Sequence, residues 1–235
     1  YASWTDDDHG AVYARRPGMA PQRLTSIRDQ YGALALSRDN RRLAAVRGTG
    51  MLQRGEWLSN ETRFELVILE PGADETVVTT VRGRPLEYAN FAAKKPPHVR
   101  FAPTDDALVY TEFVRDTLVV VRIGLDGRDR RILHRLPHAT EASVSPDLQW
   151  LAFREYQRSF LAPLGDSAAI TSAYDHTGRA YRIDSEDGGG FSWSPDGRTV
   201  GWVRASGYYE KDVTAILAEN ETGGGLTASE RAASA

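Results

Sequence analysis

The stretch FSWSPDGRTVGWV, residues 191–203, sets a short apolar alternation, a Ser-Pro-Asp-Gly turn and a second β-prone run side by side. Pro and Asp pre-shape a turn and Gly takes the left-handed position, so one such hairpin suits any β protein. Repetition is what carries information. ASVSPDLQWLAF (142–153) keeps Ser145, Pro146 and Asp147 and puts Leu148 where Gly stood. VRFAPTDDALVY (99–110) keeps Pro103, with Thr104 in the Asp column and Asp105 in the Gly column. LALSRDNRRLAAV (34–46) keeps Ser37 and Asp39, and its Asn40 tolerates the left-handed conformation better than most residues. SWTDDDHGAVYA (3–14) is a worn copy when Asp7 is aligned with Asp196.

The Asp column (7, 39, 104, 147, 196) advances by 32, 65, 43 and 49 residues. These steps scatter about the roughly 40–50 residues that a four-stranded propeller blade occupies. Each turn lies inside one hairpin and a second hairpin follows. FELVILEPGADETVVTTV (64–81) hinges on Pro71 and Gly72, and DTLVVVRIGLDGRDRRILHRL (116–136) hinges on LDGR. Two hairpins per unit make four antiparallel strands, so the sequence predicts an all-β propeller. The long step contains GTGMLQRGEWLSNETR (48–63), read as a polar insertion between strands. No helix of three turns or more is expected before the tail.

Composition sets further bounds. With 41% hydrophobic and 26% charged residues, the 235-residue chain is ordinary globular material, better suited to one repeat array than to two domains. Net charge is −3, and the basic residues, all arginine except Lys94, Lys95 and Lys211, alternate with carboxylates, so no nucleic-acid stripe is expected. Without cysteine there is neither a disulfide nor a thiol nucleophile. No apolar run reaches spanning length, so no membrane span is expected. Because YASWTDDDHG opens inside a repeat, the chain is expected to be an incomplete fragment of a longer protein, and to self-associate through open blade edges. The propeller is assigned to residues 1–217, and AENETGGGLTASERAASA (218–235) to a flexible linker or tail.

The order LALSRDNRRLAAVRGTG, VVVRIGLDGRDRRIL, SVSPDLQWLAFRE and GGGFSWSPDGRTVGWVRASGYYEKDV resembles the TolB-like β-propeller that accompanies bacterial metal-dependent amidohydrolases. The resemblance covers residues 1 to about 217 and implies a hydrolase parent whose metals lie in a neighbouring barrel, outside this segment. It also implies a periplasmic or secreted location.

The chemistry-bearing residues agree with a non-catalytic segment. His9, His98, His134, His138 and His176 form no His-x-His pair, and there is no Gly-x-Ser-x-Gly elbow. The glycines of DGGGFSW lead into a strand, so no helix N-terminus meets an anion there. Asp6, Asp7, Asp8 and His9 offer hard ligands but sit on the repeat's own turn, where solvated acids are the ordinary reading. His134 and His138 have zinc spacing only on a helix, and Pro137 between them argues for loop histidines. Tyr208, Tyr209, Glu210 and Lys211, placed after the last clear strand, read as aromatic packing with a solvated ion pair. Trp150, Trp193 and Trp202 lie in the repeat frame and are expected in blade cores. Trp57, with Met51, Leu52 and Leu58 in the insertion, is a candidate partner contact. Asn60 and Asn220 are formal glycosylation acceptors, meaningful only on a eukaryotic secretory route.

No catalytic, cofactor or metal residue is assigned, and no cofactor is expected. The expected function is a binding or scaffold module that gates substrate or docks a partner beside a catalytic domain, with peptide or small-molecule substrate at the channel. One alternative is a stand-alone hydrolase with a metal site in the channel built from acids such as Asp184, Glu186 and Asp187. The other is a TolB-like envelope protein-interaction propeller.

Overall fold

A computed structural model describes residues 1–5, 9–48, 63–82, 97–165 and 168–221, with the side chains of residues 185 and 187 left out. The second strand of each repeat runs apolar through its middle, and the turn frame fixes where it begins. The chain is accordingly all-β, with one helix among the described residues. Its strands are β1 (Ala2–Ser3), β2 (Ala11–Ala14), β3 (Gln22–Arg23), β4 (Tyr31–Leu36), β5 (Leu43–Arg47), β6 (Arg63–Leu69) and β7 (Thr76–Arg82). There follow β8 (Val99–Phe101), β9 (Ala107–Val114), β10 (Thr117–Gly124), β11 (Arg131–Leu136), β12 (Ala139–Val144), β13 (Trp150–Glu155) and β14 (Arg158–Pro163). The last are β15 (Ala169–Ile170), β16 (Tyr181–Asp187), β17 (Gly189–Trp193), β18 (Thr199–Arg204) and β19 (Gly207–Asp212), then α1 (Val213–Glu219).

These strands make five blades of a β-propeller: β1-β2-β3, β4-β5-β6-β7, β8-β9-β10-β11 with β15 added, β12-β13-β14-β16, and β17-β18-β19. Four strands per blade, as the spacing predicts, holds for the middle three. The first and last have three. In the last, the chain leaves the sheet because the Asp212 carboxylate accepts the Thr214 N–H at 2.7 Å and caps α1. Val213 and Ile216 of that helix then bury against Phe191, Val200 and Trp202. The segment from Gly207 to Asp212 is not beyond the last strand, as its polar sequence suggested, but forms β19, paired with β18 from Arg204↔Gly207 to Thr199↔Asp212.

The chain divides into two compact units, Tyr1–Phe113 with Arg122–Arg131, and Val114–Val121 with the residues from Ile132 onward. A core of the first gathers Val12, Tyr31, Ala45, Val67 and Leu69. A core of the second gathers Ala152, Leu161, Ile183, Phe191, Val200 and Trp202, with Trp150 and Trp193 packed on it, which is where the repeat frame put those tryptophans.

The turns are equivalent in detail. Asn40, Asp105, Leu148 and Gly197 have φ of 58°, 55°, 58° and 75°. Ser37, Ser145 and Ser194 donate to Asp39, Asp147 and Asp196 at 2.6, 2.5 and 2.6 Å. The same serine oxygens accept the N–H groups of Arg42, Trp150 and Thr199, each at 2.9 Å. The aspartates accept the N–H groups of Arg41, Gln149 and Arg198 at 3.0–3.1 Å. These bonds hold the Asp39 and Asp196 carboxyls below the usual carboxylate range, with the serine hydroxyl the main cause. The worn copy at Asp7 lies outside the described residues, as do Trp57 with its insertion, Asn60, Lys94 and Lys95, and residues 222–235.

A Cβ at Gly197 would stand 2.9 Å from the Asp147 carboxylate, on backbone that β-branched residues avoid. Gly197→Val is expected to lower unfolding free energy by about 2 kcal/mol. Gly197→Asn is expected to lose clearly less, as read by chemical denaturation of both variants.

Candidate functional site

Eight residues beyond the Asp column stand Arg47, Glu112, Glu155 and Arg204, four ionisable side chains at or near the ends of β5, β9, β13 and β18. Arg47, Glu112 and Glu155 are buried, at 6%, 7% and 2% exposure, and a buried charge must be paired. Arg47 bonds Glu75 at 2.6 Å and Glu65, while Glu75 also accepts the Tyr31 hydroxyl and the N–H groups of Ser26 and Ile27. Burial, and then the Glu75 charge, pushes the Tyr31 hydroxyl well above its ordinary range. Glu112 takes a bond from Arg130, and burial beside it raises Tyr110 to about 12. Each of these clusters joins a buried charge to a partly exposed partner, Glu65 at 28% and Arg130 at 41%.

Glu155 differs because every one of its partners belongs to one loop. It accepts the Ser172 hydroxyl at 2.7 Å and the N–H groups of Ala173 and Tyr174 at 3.0 Å. Ser172 in turn accepts the Asp175 N–H and bridges to Thr177. The carboxylate thus pins residues 172–177 to the end of the fourth blade, where Ala139 faces Glu155, opposite the end carrying the Ser145 turn.

Above this anchor stand three rings. Tyr156 and Tyr174, exposed to 58% and 44%, pack with ring centroids 4.7 Å apart. His138 lies 5.9 Å from each, and its Nε2 is 2.8 Å from Asp175 Oδ2. The β13–β14 hairpin turns on Tyr156 and Gln157, both at positive φ (46° and 65°). A two-residue turn of this kind normally uses Asn-Gly, because bulky residues there cost on the order of 1–2 kcal/mol each. The turn leaves the Tyr156 ring in solvent.

The other candidates fall elsewhere. His134 is not a loop residue: it lies on β11, 1% exposed, with Nε2 2.9 Å from Thr171 Oγ1. Burial alone drops it from an ordinary 6.5 to about 4. It is buried because β15 pairs in parallel with β11, placing Ala169 beside His134. His138 does lie in a turn, and His98, His176 and His9 are not drawn to it by any hydrogen bond among the described residues. The Lys211 ammonium pairs with Glu219 of α1 at 2.9 Å instead of Glu210, because the helix brings that carboxylate back. Glu210 accepts the Tyr208 hydroxyl, and Tyr208 also bonds Ser192. Asp184 is occupied by Arg204 at 2.9 Å and Trp202 Nε1 at 3.1 Å, and Glu186 is 3.5 Å from Arg204. No group of three metal-ligating residues occurs among the described residues. Asn220 serves as a cap, bonding Arg182 and Ile216.

Sequence reasoning missed Tyr156, Tyr174 and Asp175. The signal for the first was REYQRSF, a strand-to-strand step lacking any turn residue.

The five blades, with their recurring Ser-x-Asp turn, make a β-propeller whose fold is similar to that of solved TolB structures. Solved structures agree. TolB from Acinetobacter baumannii matches at TM-score 0.59 and 15% identity, over 88% of this chain and 47% of that one. This chain therefore spans about half the length of that TolB. A protein from Agrobacterium tumefaciens assigned as a TolB matches at TM-score 0.55 and 14% identity, over 90% of this chain and 76% of its own. A chain of a nidogen/laminin complex matches at TM-score 0.55 and 14% identity, over 88% and 70%. At such identities the likeness is one of fold. No protein-family model and no curated protein matches the chain. No helix among the described residues is long and apolar enough to cross a membrane.

Proposed function

We propose that this chain is a non-catalytic binding module, a propeller that docks a partner through the tyrosine–histidine cluster of its fourth blade. The observation carrying this reading is the Tyr156–Gln157 turn. Two side chains occupy backbone that asks for Asn-Gly, and the ring so displayed packs on a second exposed tyrosine set by a buried carboxylate. Arg115 and Ala205 open the neighbouring hairpins at positive φ as well, but Tyr156 adds exposed aromatic surface to the strained turn, which supports a contact site.

Likeness to TolB structures supports a periplasmic setting and an envelope partner. The order of turn motifs supports a place beside an amidohydrolase barrel, with residues 1–217 as the propeller and 218–235 as the linker. A hydrolytic site at Asp184 and Glu186 is the weaker reading, since Arg204 already pairs with both carboxylates.

The test is the double substitution Tyr156→Asn with Gln157→Gly. It is expected to raise stability by roughly 1–2 kcal/mol, by relieving the turn. It is also expected to abolish capture of peptides selected from a display library on the wild-type chain. Retained capture would place the contact face elsewhere. Metal-dependent turnover of an ester or amide panel, lost in Asp184→Asn, would favour the hydrolase.

A further inference from the structure

Resting on that reading, we infer that the fourth-blade cluster is a receptor for an arginine side chain presented by a partner protein. The chain itself displays the chemistry, one blade further on. There Trp202 and Tyr209 stack with centroids 6.0 Å apart, and the Arg204 guanidinium lies 4.2 Å from the Tyr209 centroid. The Asp184 carboxylate grips the edge of that guanidinium at 2.9 Å. A paired aromatic platform, a carboxylate beside it and a planar cation seated on the face make one complete unit.

The fourth blade has the platform and the carboxylate. Tyr156 and Tyr174 are packed and inclined by 32°, closer than the fifth-blade pair. Asp175 stands at their margin, fixed by the His138 bond to its Oδ2, while Oδ1 receives no bond from the described residues. At the position where the fifth blade carries Arg204, the fourth carries Glu155, buried and committed to the loop beneath. That position therefore supplies no guanidinium to the platform, whereas Arg204 covers Tyr209 in the fifth blade and Arg42 covers Phe101.

Guanidinium suits the site better than ammonium. A planar cation lies flat on a ring while its fork still reaches a carboxylate oxygen, whereas ammonium keeps its water and engages as a point charge. Both rings are exposed, so a small molecule on them would stay open to solvent. The arginine is recognised as part of a longer chain whose neighbours add contact.

The experiment titrates the chain with the blocked tripeptide Gly-Arg-Gly and its citrulline counterpart, which keeps shape and loses charge, following the His138 ring resonances. The arginine peptide is expected to bind about tenfold tighter than the citrulline peptide. Asp175→Asn and Tyr156→Leu should each weaken it about tenfold, while Tyr156→Phe, which keeps the ring, stays within about twofold. Tyr208→Ala on the fifth blade, a control for surface aromatics, should leave binding unchanged. Equal binding of the citrulline peptide, or indifference to Asp175→Asn and Tyr156→Leu, overturns the inference. If selected library peptides lack arginine yet depend on Tyr156, the inference falls and the docking face stands. If neither the tripeptide nor any library peptide depends on Tyr156, both fall.

Discussion

Glu75→Ala is expected to lower the unfolding free energy by about 3–5 kcal/mol, the range for removing one partner of a buried ion pair. The glutamate side chain is 2% exposed and serves four donors: Arg47, Tyr31, and the N–H groups of Ser26 and Ile27. Removing it leaves a buried guanidinium with Glu65 alone and strips two backbone donors of their acceptor. Glu65 is 28% exposed, so Glu65→Ala should cost only about 1 kcal/mol by the measure of partly solvated pairs. Urea unfolding of the two variants makes the comparison. Equal losses would show that Arg47, and not the Glu75 hub, organises the second blade.

Acid should unfold the protein partly through His134. Its folded-state value of about 4 lies below the ordinary 6.5, so the unfolded chain takes up the proton first as the pH drops. Stability from the neutral ring is therefore complete above pH 6.5, declines as pH falls toward 4 and is constant below. At about 1.4 kcal/mol per tenfold change in proton affinity, the loss amounts to roughly 3 kcal/mol. The physical cause is burial: Nε2 has Thr171, but Nδ1 is enclosed without a hydrogen-bond partner, so protonation would place a charge and a donor where neither is solvated. Melting curves of wild type and His134→Phe between pH 7.5 and 4.5 should converge in acid, the variant losing less. Parallel curves would mean that the carboxylates alone set acid stability.

The propeller was legible in the sequence because its turns are local. Ser37, Ser145 and Ser194 fold back on aspartates two residues away, so the pattern needs no knowledge of the rest of the chain. The charged column at Arg47, Glu112, Glu155 and Arg204 was equally regular in spacing, but its mixed signs hide it until the partners are seen. Those partners sit 17 to 28 residues away in the first three blades that carry them. The fourth-blade cluster was illegible for the same reason. Nothing near Tyr156 announces that a loop beginning at Thr171 will be drawn over by Glu155, and β15 is too short and too polar in its surroundings to show a period. His134 became buried by that same loop, which its reading as a loop histidine beside Pro137 did not anticipate.

The turn frame also bears on how such a chain can change over evolutionary time. In three blades the serine and aspartate satisfy the turn's backbone from within, and the left-handed position accepts Asn, Leu or Gly. A hairpin built this way makes few demands on the identity of residues around it, provided the strand interiors stay apolar. Sequences can then diverge until little but a Ser-x-Asp remains in common, while the blades keep their register. Homology recognised through sequence fades well before the architecture does, and each blade end is left free to acquire a contact surface of its own.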